Sequence, residues 1–190
     1  KDDMTVYSTG NGNSFNGNSA VSANLTSITT DTYTANLIFN GTNVVSGSTD
    51  IDQGNITIKG LATFAGTVKA GSIDVETPSL ITFNDKVDLT VALGDDILPE
   101  EKLTFKSAGN VYLNKGLDGN IDFNGQNAKV TLGDGYVSGD VYTAVKGSGS
   151  LSFTSSNPSG VVGNIGGHEV DGSVVNKAIN EVSIDGKGGV

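Results

Sequence analysis

Phenylalanine recurs at Phe39, Phe64, Phe83, Phe105 and Phe123, each time inside a short alternating apolar stretch that runs into Asn, Gly or Asp. The gaps are 25, 19, 22 and 18 residues. Self-similarity at a near-constant period of about 20–50 residues marks a repeat architecture. A unit this short, rich in β-branched residues and glycine turns, has no room for a pair of helices. The spacing therefore predicts an all-β chain wound as a right-handed parallel β-helix (β-solenoid), the hand following from the crossover rule for parallel strands. The competing architecture is an antiparallel β-sandwich with hairpins at similar spacing. The likeness of SLITFND at 79–85 to NIDFNG at 120–125, and a chain without tryptophan, favour stacked coils.

A solenoid core is narrow, and the composition suits one: 36% of the 190 residues are hydrophobic and 6% aromatic. The 27 glycines, with abundant Asn, Ser and Thr, supply the turns. All eleven basic residues are lysines, against 21 acids, for a net charge of −10. Nucleic-acid binding needs clustered cations that neutralise phosphates, and no such cluster exists here. The same acidity disfavours attachment to anionic lipid. Without cysteine there are no disulfides or thiolate metal sites. No run of about 18 apolar residues occurs, so direct membrane insertion as a helix is not expected.

Three parts are expected along the chain. Residues 1–35, turn-rich around 10–19, read as an N-terminal cap or an irregular first rung. Residues 36–160 read as the solenoid rungs, about six of them, spanning roughly 30 Å at the strand-stacking distance. Residues 161–190 read as an irregular C-terminal rung or cap, continuing into a longer parent chain, with Val174, Ala178 and Val182 at a spacing that allows a helical turn. Val87, Leu89, Val91 and Leu93 alternate as four inward positions. The stretch 94–102 then breaks the rhythm with four acids and a proline. It reads as a solvent-exposed excursion, and Asp95, Asp96, Glu100 and Glu101 are the candidate partner contacts.

Catalytic patterns are sparse. His168 is the one histidine, placed among glycines where a solvated loop is expected, so neither a histidine-based triad nor a two-histidine zinc site can be built. The carboxylate pairs Asp50/Asp52, Asp95/Asp96 and Asp118/Asp122 invite comparison with glycosidases, which hold two carboxyls about 5–9.5 Å apart with one buried. These acids lie in turns where water keeps them ionised. The opening Asp118-Gly119-Asn120-Ile121-Asp122 imitates a calcium loop, but Phe123 stands where the loop needs Gly and Lys129 where it needs Glu. Asn24, Asn40 and Asn55 head glycosylation sequons, and Thr30, Thr32 and Thr34 alternate in a short ladder that does not recur. No catalytic, cofactor-binding or metal-binding residue is assigned, and no cofactor is expected.

The tail is the part closest to a known pattern. FTSSNPSGVVGNIGG at 153–167, followed by KAIN at 177–180 and IDG at 184–186, resembles the passenger repeats of rickettsial autotransporter surface antigens of the outer membrane protein B type. The phrases FNG at 39–41, FAG at 64–66 and FNG at 123–125 are similar to the same idiom, across most of 36–186. The resemblance implies a non-enzymatic surface coat or adhesin on the outer face of a bacterial outer membrane. Its partners would be a host-cell surface protein or neighbouring copies of itself. The membrane barrel that ends such proteins has no counterpart in this sequence, so the likeness is to the passenger portion. The readings from other classes are a polysaccharide-processing β-helix enzyme and a self-assembling surface-layer module.

Overall fold

The computed structural model describes residues 4–6, 13–22, 24–27, 36–51, 53–89, 101–170 and 173–187. Within them the chain winds through three parallel sheets in turn and begins again, which is a β-solenoid. The first sheet stacks Met4–Val6, Leu25–Ser27, Thr49–Asp50, Val68–Lys69, Val87–Asp88, Leu117–Asp118, Gly135–Val137 and Ser159–Val161. The second stacks Asn13–Asn16, Asn36–Asn40, Asn55–Ile58, Ser72–Val75, Lys102–Phe105, Asn120–Asp122 and Val141–Tyr142. The third stacks Ser19–Val21, Thr42–Val45, Leu61–Phe64, Leu80–Phe83, Asn110–Leu113, Lys129–Leu132, Ser150–Phe153 and Glu181–Ile184. Described strands before residue 36 pair in parallel with strands after it, so they belong to the same three sheets.

Period-two alternation explains these strands. In Asn36–Asn40, Leu37 and Phe39 point into the core while Asn36 and Ile38 face outward. In-register pairing then converts sequence positions into columns. Leu37, Ile56, Ile73, Leu103, Ile121 and Val141 form one buried file down the second sheet.

The phenylalanines do not form a single file. Two columns carry the large core residues, one at the end of each second-sheet strand and one at the end of each third-sheet strand. The first runs Phe15, Phe39, Ile58, Val75, Phe105, and then Phe123, whose ring stacks on Phe105. The other runs Val21, Val45, Phe64, Phe83, Leu113, Leu132, Phe153, Ile184. Each coil puts one ring in one column and an aliphatic residue in the other: Phe39 with Val45, Ile58 with Phe64, Val75 with Phe83, Phe105 with Leu113, Phe123 with Leu132. All seven phenylalanines of the chain lie in these two columns, Phe153 in a coil whose other column holds Thr143. A narrow core packed to crystal-like density has space for one ring per layer. Rings in one column stack, as Phe64 on Phe83 at 5.1 Å and 10°. Where the ring changes column, as between Phe39 and Phe64, the pair is edge-on at 5.1 Å and 88°.

The tail departs from the helical spacing expected around Val174. Gly167–Val170 and Ser173–Asn176 form an antiparallel hairpin, and Glu181–Ile184 rejoins the third sheet. The helical reading fails because these residues answer to pairing partners that their own spacing does not reveal. His168, expected in a loop, lies in the first strand of that hairpin, opposite Val175.

Candidate functional site

Outward residues form columns just as the core residues do, and the three sheets carry different chemistry. On the first sheet the outward column runs Thr26, Asp50, Lys69, Asp88, Asp118. Lys86 reaches along this face to ion-pair with Asp118. The hydrogen bond to that carboxylate, helped by the charges of Asp118 and Asp88, raises the lysine above its ordinary range. A shallow groove of about 260 Å³ lies on this sheet, with Ser48, Thr67 and Lys86 on one side and Asp50, Lys69 and Asp88 on the other.

The second sheet carries a polar network. Asn55 donates from Nδ2 to Ser72 Oγ at 2.9 Å, and Thr57 donates to Asn55 Oδ1 at 2.8 Å. Lys106 binds Asp74 at 2.7 Å and Glu76 at 3.5 Å, while Lys59 meets the same Glu76 at 3.4 Å. The hydrogen bond to Asp74 raises the Lys106 pKa. Further along, Thr104, Asp122 and Tyr142 follow one another in the outward column and are nevertheless buried. Burial, with the charges of Asp122 and Asp140, pushes the Tyr142 phenol well above its ordinary range.

The third sheet is the plainest. Its outward columns are Thr42, Leu61, Leu80, Asn110 and Val44, Thr63, Thr82, Tyr112. No charged side chain appears until Lys129, and Val44, Leu61, Leu80 and Tyr112 are exposed. Its signal in the sequence is the outward member of each alternating pair, a position that attracts notice only when it is charged.

Of the carboxylate pairs, Asp118/Asp122 falls on two different sheets. Asp118 points out from the first sheet and pairs with Lys86, whereas Asp122 belongs to the second and pairs with Lys102 at 3.3 Å. The same separation dissolves the resemblance to a calcium loop. Asp50 stands in the first-sheet column, and Asp52 lies outside the described residues. Among the described residues no three His, Cys, Asp or Glu side chains gather as a metal site.

Of the excursion at 94–102, Asp95, Asp96 and Glu100 lie outside the described residues, as do Val91, Leu93 and the ladder Thr30, Thr32, Thr34. Glu101 is described, and it is fully buried. That corrects its expected place on an exposed loop. Its backbone carbonyl accepts from the Asn120 N–H at 2.9 Å, which draws the end of the excursion back onto the second sheet.

The sequon asparagines serve the stack. Asn24 Oδ1 accepts from the Ser48 N–H at 3.0 Å, Asn40 donates to Asn16 at 3.3 Å, and Asn55 belongs to the network above. Asparagine recurs because its amide can bridge one coil to the next. Among the described residues no helix is long and apolar enough to cross a membrane, which leaves β-barrel insertion untouched.

No family model, curated protein or solved structure matches this chain. Long ordered faces with repeated Asn, Thr, Asp and Lys side chains offer many shallow polar contacts, the kind of surface on which solenoids recognise partners.

Proposed function

We propose that this chain is a non-enzymatic segment of a bacterial surface-exposed autotransporter passenger, acting in adhesion or as surface coat on the extracellular face of the outer membrane. The observation that carries the proposal is the stack of in-register outward columns, charged on the first and second sheets and uncharged over four or more coils of the third. Such a surface recognises by repetition along its length, as a coat or adhesin must. The repeat phrases that resemble rickettsial surface antigens point the same way, and an acidic, cysteine-free exterior suits a crowded cell surface. The separation of Asp118 from Asp122 onto different sheets, each held by a lysine, weighs against a polysaccharide-cleaving pair.

The partner would be a host-cell surface protein or a neighbouring copy, met first through the acidic stretch that contains Asp95, Asp96 and Glu100. The test is binding of the purified chain to host cells, with and without residues 94–100. The proposal expects saturable binding that drops at least about tenfold on deletion while the melting transition survives. Absence of any saturable binding removes the adhesion reading. Reducing sugar released from a glycan panel, and lost in Asp118→Asn, would replace it with the enzyme.

A further inference from the structure

Polar side chains point into the core at one joint of the stack. Register sets Ser19 on Asn43 and Leu25 on Thr49, in the inward files of the third and first sheets. Asn43 is 2% and Thr49 1% exposed, yet Asn43 Oδ1, Asn43 Nδ2 and Thr49 Oγ1 have no hydrogen-bond partner. Among the described residues no other buried side-chain polar atom is left so, and both residues belong to one coil. The coils that follow differ. From the coil of Ile56 to that of Leu117 every inward register pair is apolar, as in the file Ala62, Ile81, Val111 that continues from Asn43. Towards the following coil, Asn43 and Thr49 are flanked by three large apolar pairs, Leu37–Ile56, Phe39–Ile58 and Val45–Phe64. Towards the preceding coil they are flanked by Phe15–Phe39 and Val21–Val45, in which Phe15 and Val21 are only partly buried.

We propose that the solenoid opens at this joint: the coil that carries Asn13–Asn16, Ser19–Val21 and Leu25–Ser27 parts from residues 36–50 while the later coils stay stacked. Stability in a solenoid is a sum of coil terms and nearest-neighbour joints, so the stack yields first where a joint is weakest. A buried amide or hydroxyl without a partner forgoes in the closed state the hydrogen bonds that water supplies in the open one. Opening here returns Asn43 and Thr49 to water, whereas opening at the apolar joints that follow recovers nothing of the kind. What holds the joint lies elsewhere. Phe15 stacks on Phe39 at 5.2 Å and 9°, the Ser48 N–H donates to Asn24 Oδ1, and Asn40 donates to Asn16. Parting uncovers the backbone edges of Asn36–Asn40, Thr42–Val45 and Thr49–Asp50 with the apolar row Leu37, Phe39 and Val45. Such an edge can pair in parallel with an added strand, and the closed stack keeps it hidden. Described strands lie on both sides of the joint, so any coil stacked before it moves with the 13–27 coil as one body. Only inward side chains take part, so the adhesion reading, which concerns the outer faces, stands or falls separately.

Native-state hydrogen exchange read by mass spectrometry in low urea tests it, with Asn43→Val and Thr49→Val removing the orphaned groups at similar side-chain size. In the wild-type chain the amides of 13–27 should exchange at least about tenfold faster than those of 55–83, and with a weaker dependence on urea, the mark of a partial opening. Each variant should slow the 13–27 amides at least about fivefold, and the double variant should slow them further. Exchange at 13–27 within a few-fold of that at 55–83 overturns the proposal, because the stack would then open as a whole. So does fast exchange at 13–27 that neither variant slows, which would put the weakness in that coil and not in the joint.

Discussion

The two corners that flank the third sheet differ in how much they vary. From the third sheet back to the first, the chain turns over three residues at 46–48, 65–67, 84–86 and 114–116, then over two at 133–134 and five at 154–158. From the second sheet to the third it turns over residue 41, then 59–60, 76–79, 106–109, 123–128 and 143–149, lengthening down the stack. Each corner is preceded by one of the two columns that share the phenylalanines, so the packing demand beside them is alike. What differs is the outside. A corner that keeps three residues over four successive coils is set by the core alone, whereas a corner that grows from Gly41 to the loop holding the exposed Val145 builds outward over one edge of the stack. Loops free of packing constraint are where surface function accumulates.

The sharpest way to break this comparison is to challenge the packing the corners share. Phe83→Ala should cost about 3–5 kcal/mol in chemical denaturation, because each layer holds a single ring and cannot collapse around its loss. Val75→Phe overfills the same layer and should cost about 1–3 kcal/mol. Combined with Phe83→Val it moves the ring to the other column, and the double variant should recover at least about 1 kcal/mol relative to additivity. A purely additive double variant would mean the two columns do not share one volume.

At the growing corner, glycine should be indispensable where the turn is tight and nearly free where it is long. A Cβ on Gly60 would collide with the backbone carbonyl of Gly41, so Gly60→Ala should cost about 3 kcal/mol. Gly147, with φ of 82° and nothing within 4 Å, carries only the conformational penalty, and Gly147→Ala should cost about 1 kcal/mol. Equal melting temperatures for the two variants would erase the distinction between the tight and the long turns of this corner.

Much of the fold was legible in the sequence, and the limits are physical. Short alternating runs closed by Asn-Gly, as at Phe39-Asn40-Gly41, announce strands and turns directly. The phenylalanine spacing announces coils but hides the two columns, because a ring that changes column lengthens or shortens the gap by the width of a corner. Phe64 and Phe83 are true register partners, while Phe39 and Phe64 are not. Pairing partners lie a full coil apart, so neither the tail hairpin nor the burial of Glu101 could be read from neighbours in sequence. The surface columns were hidden for the same reason. Coils of unequal length scatter Leu61, Leu80 and Tyr112 in sequence and bring them onto one face only in space.

Two smaller effects follow from the polar groups. Asn43 occupies an inward position in the file of Ala62 and Ile81, and neither of its side-chain polar atoms has a hydrogen-bond partner. Asn43→Val should therefore stabilise the fold by about 1–2 kcal/mol, and a loss of stability would contradict this reading. In the last coils of the corner from the third sheet to the first, Asp134 accepts from Ser155 at 2.5 Å and Lys115 at 2.9 Å, which holds its carboxyl well below the ordinary range. A depressed folded-state pKa contributes stability that is present above the unfolded value and lost as pH falls through the folded one. Below pH about 4 the wild-type melting temperature should decline more steeply than that of Asp134→Asn. Parallel acid limbs would remove Asp134 from the account.

The central claim is that successive coils stack in parallel register, and distances along one outward column test it most directly. The chain has no cysteine, so pairs of spin labels can be placed at Thr42 with Lys129, Ser150 or Glu181, all in one third-sheet column. Stacking near 4.8 Å per coil predicts separations of about 19, 24 and 29 Å, rising in equal steps. Separations that fail to increase in that order, or that alternate as facing sheets would require, would contradict the solenoid.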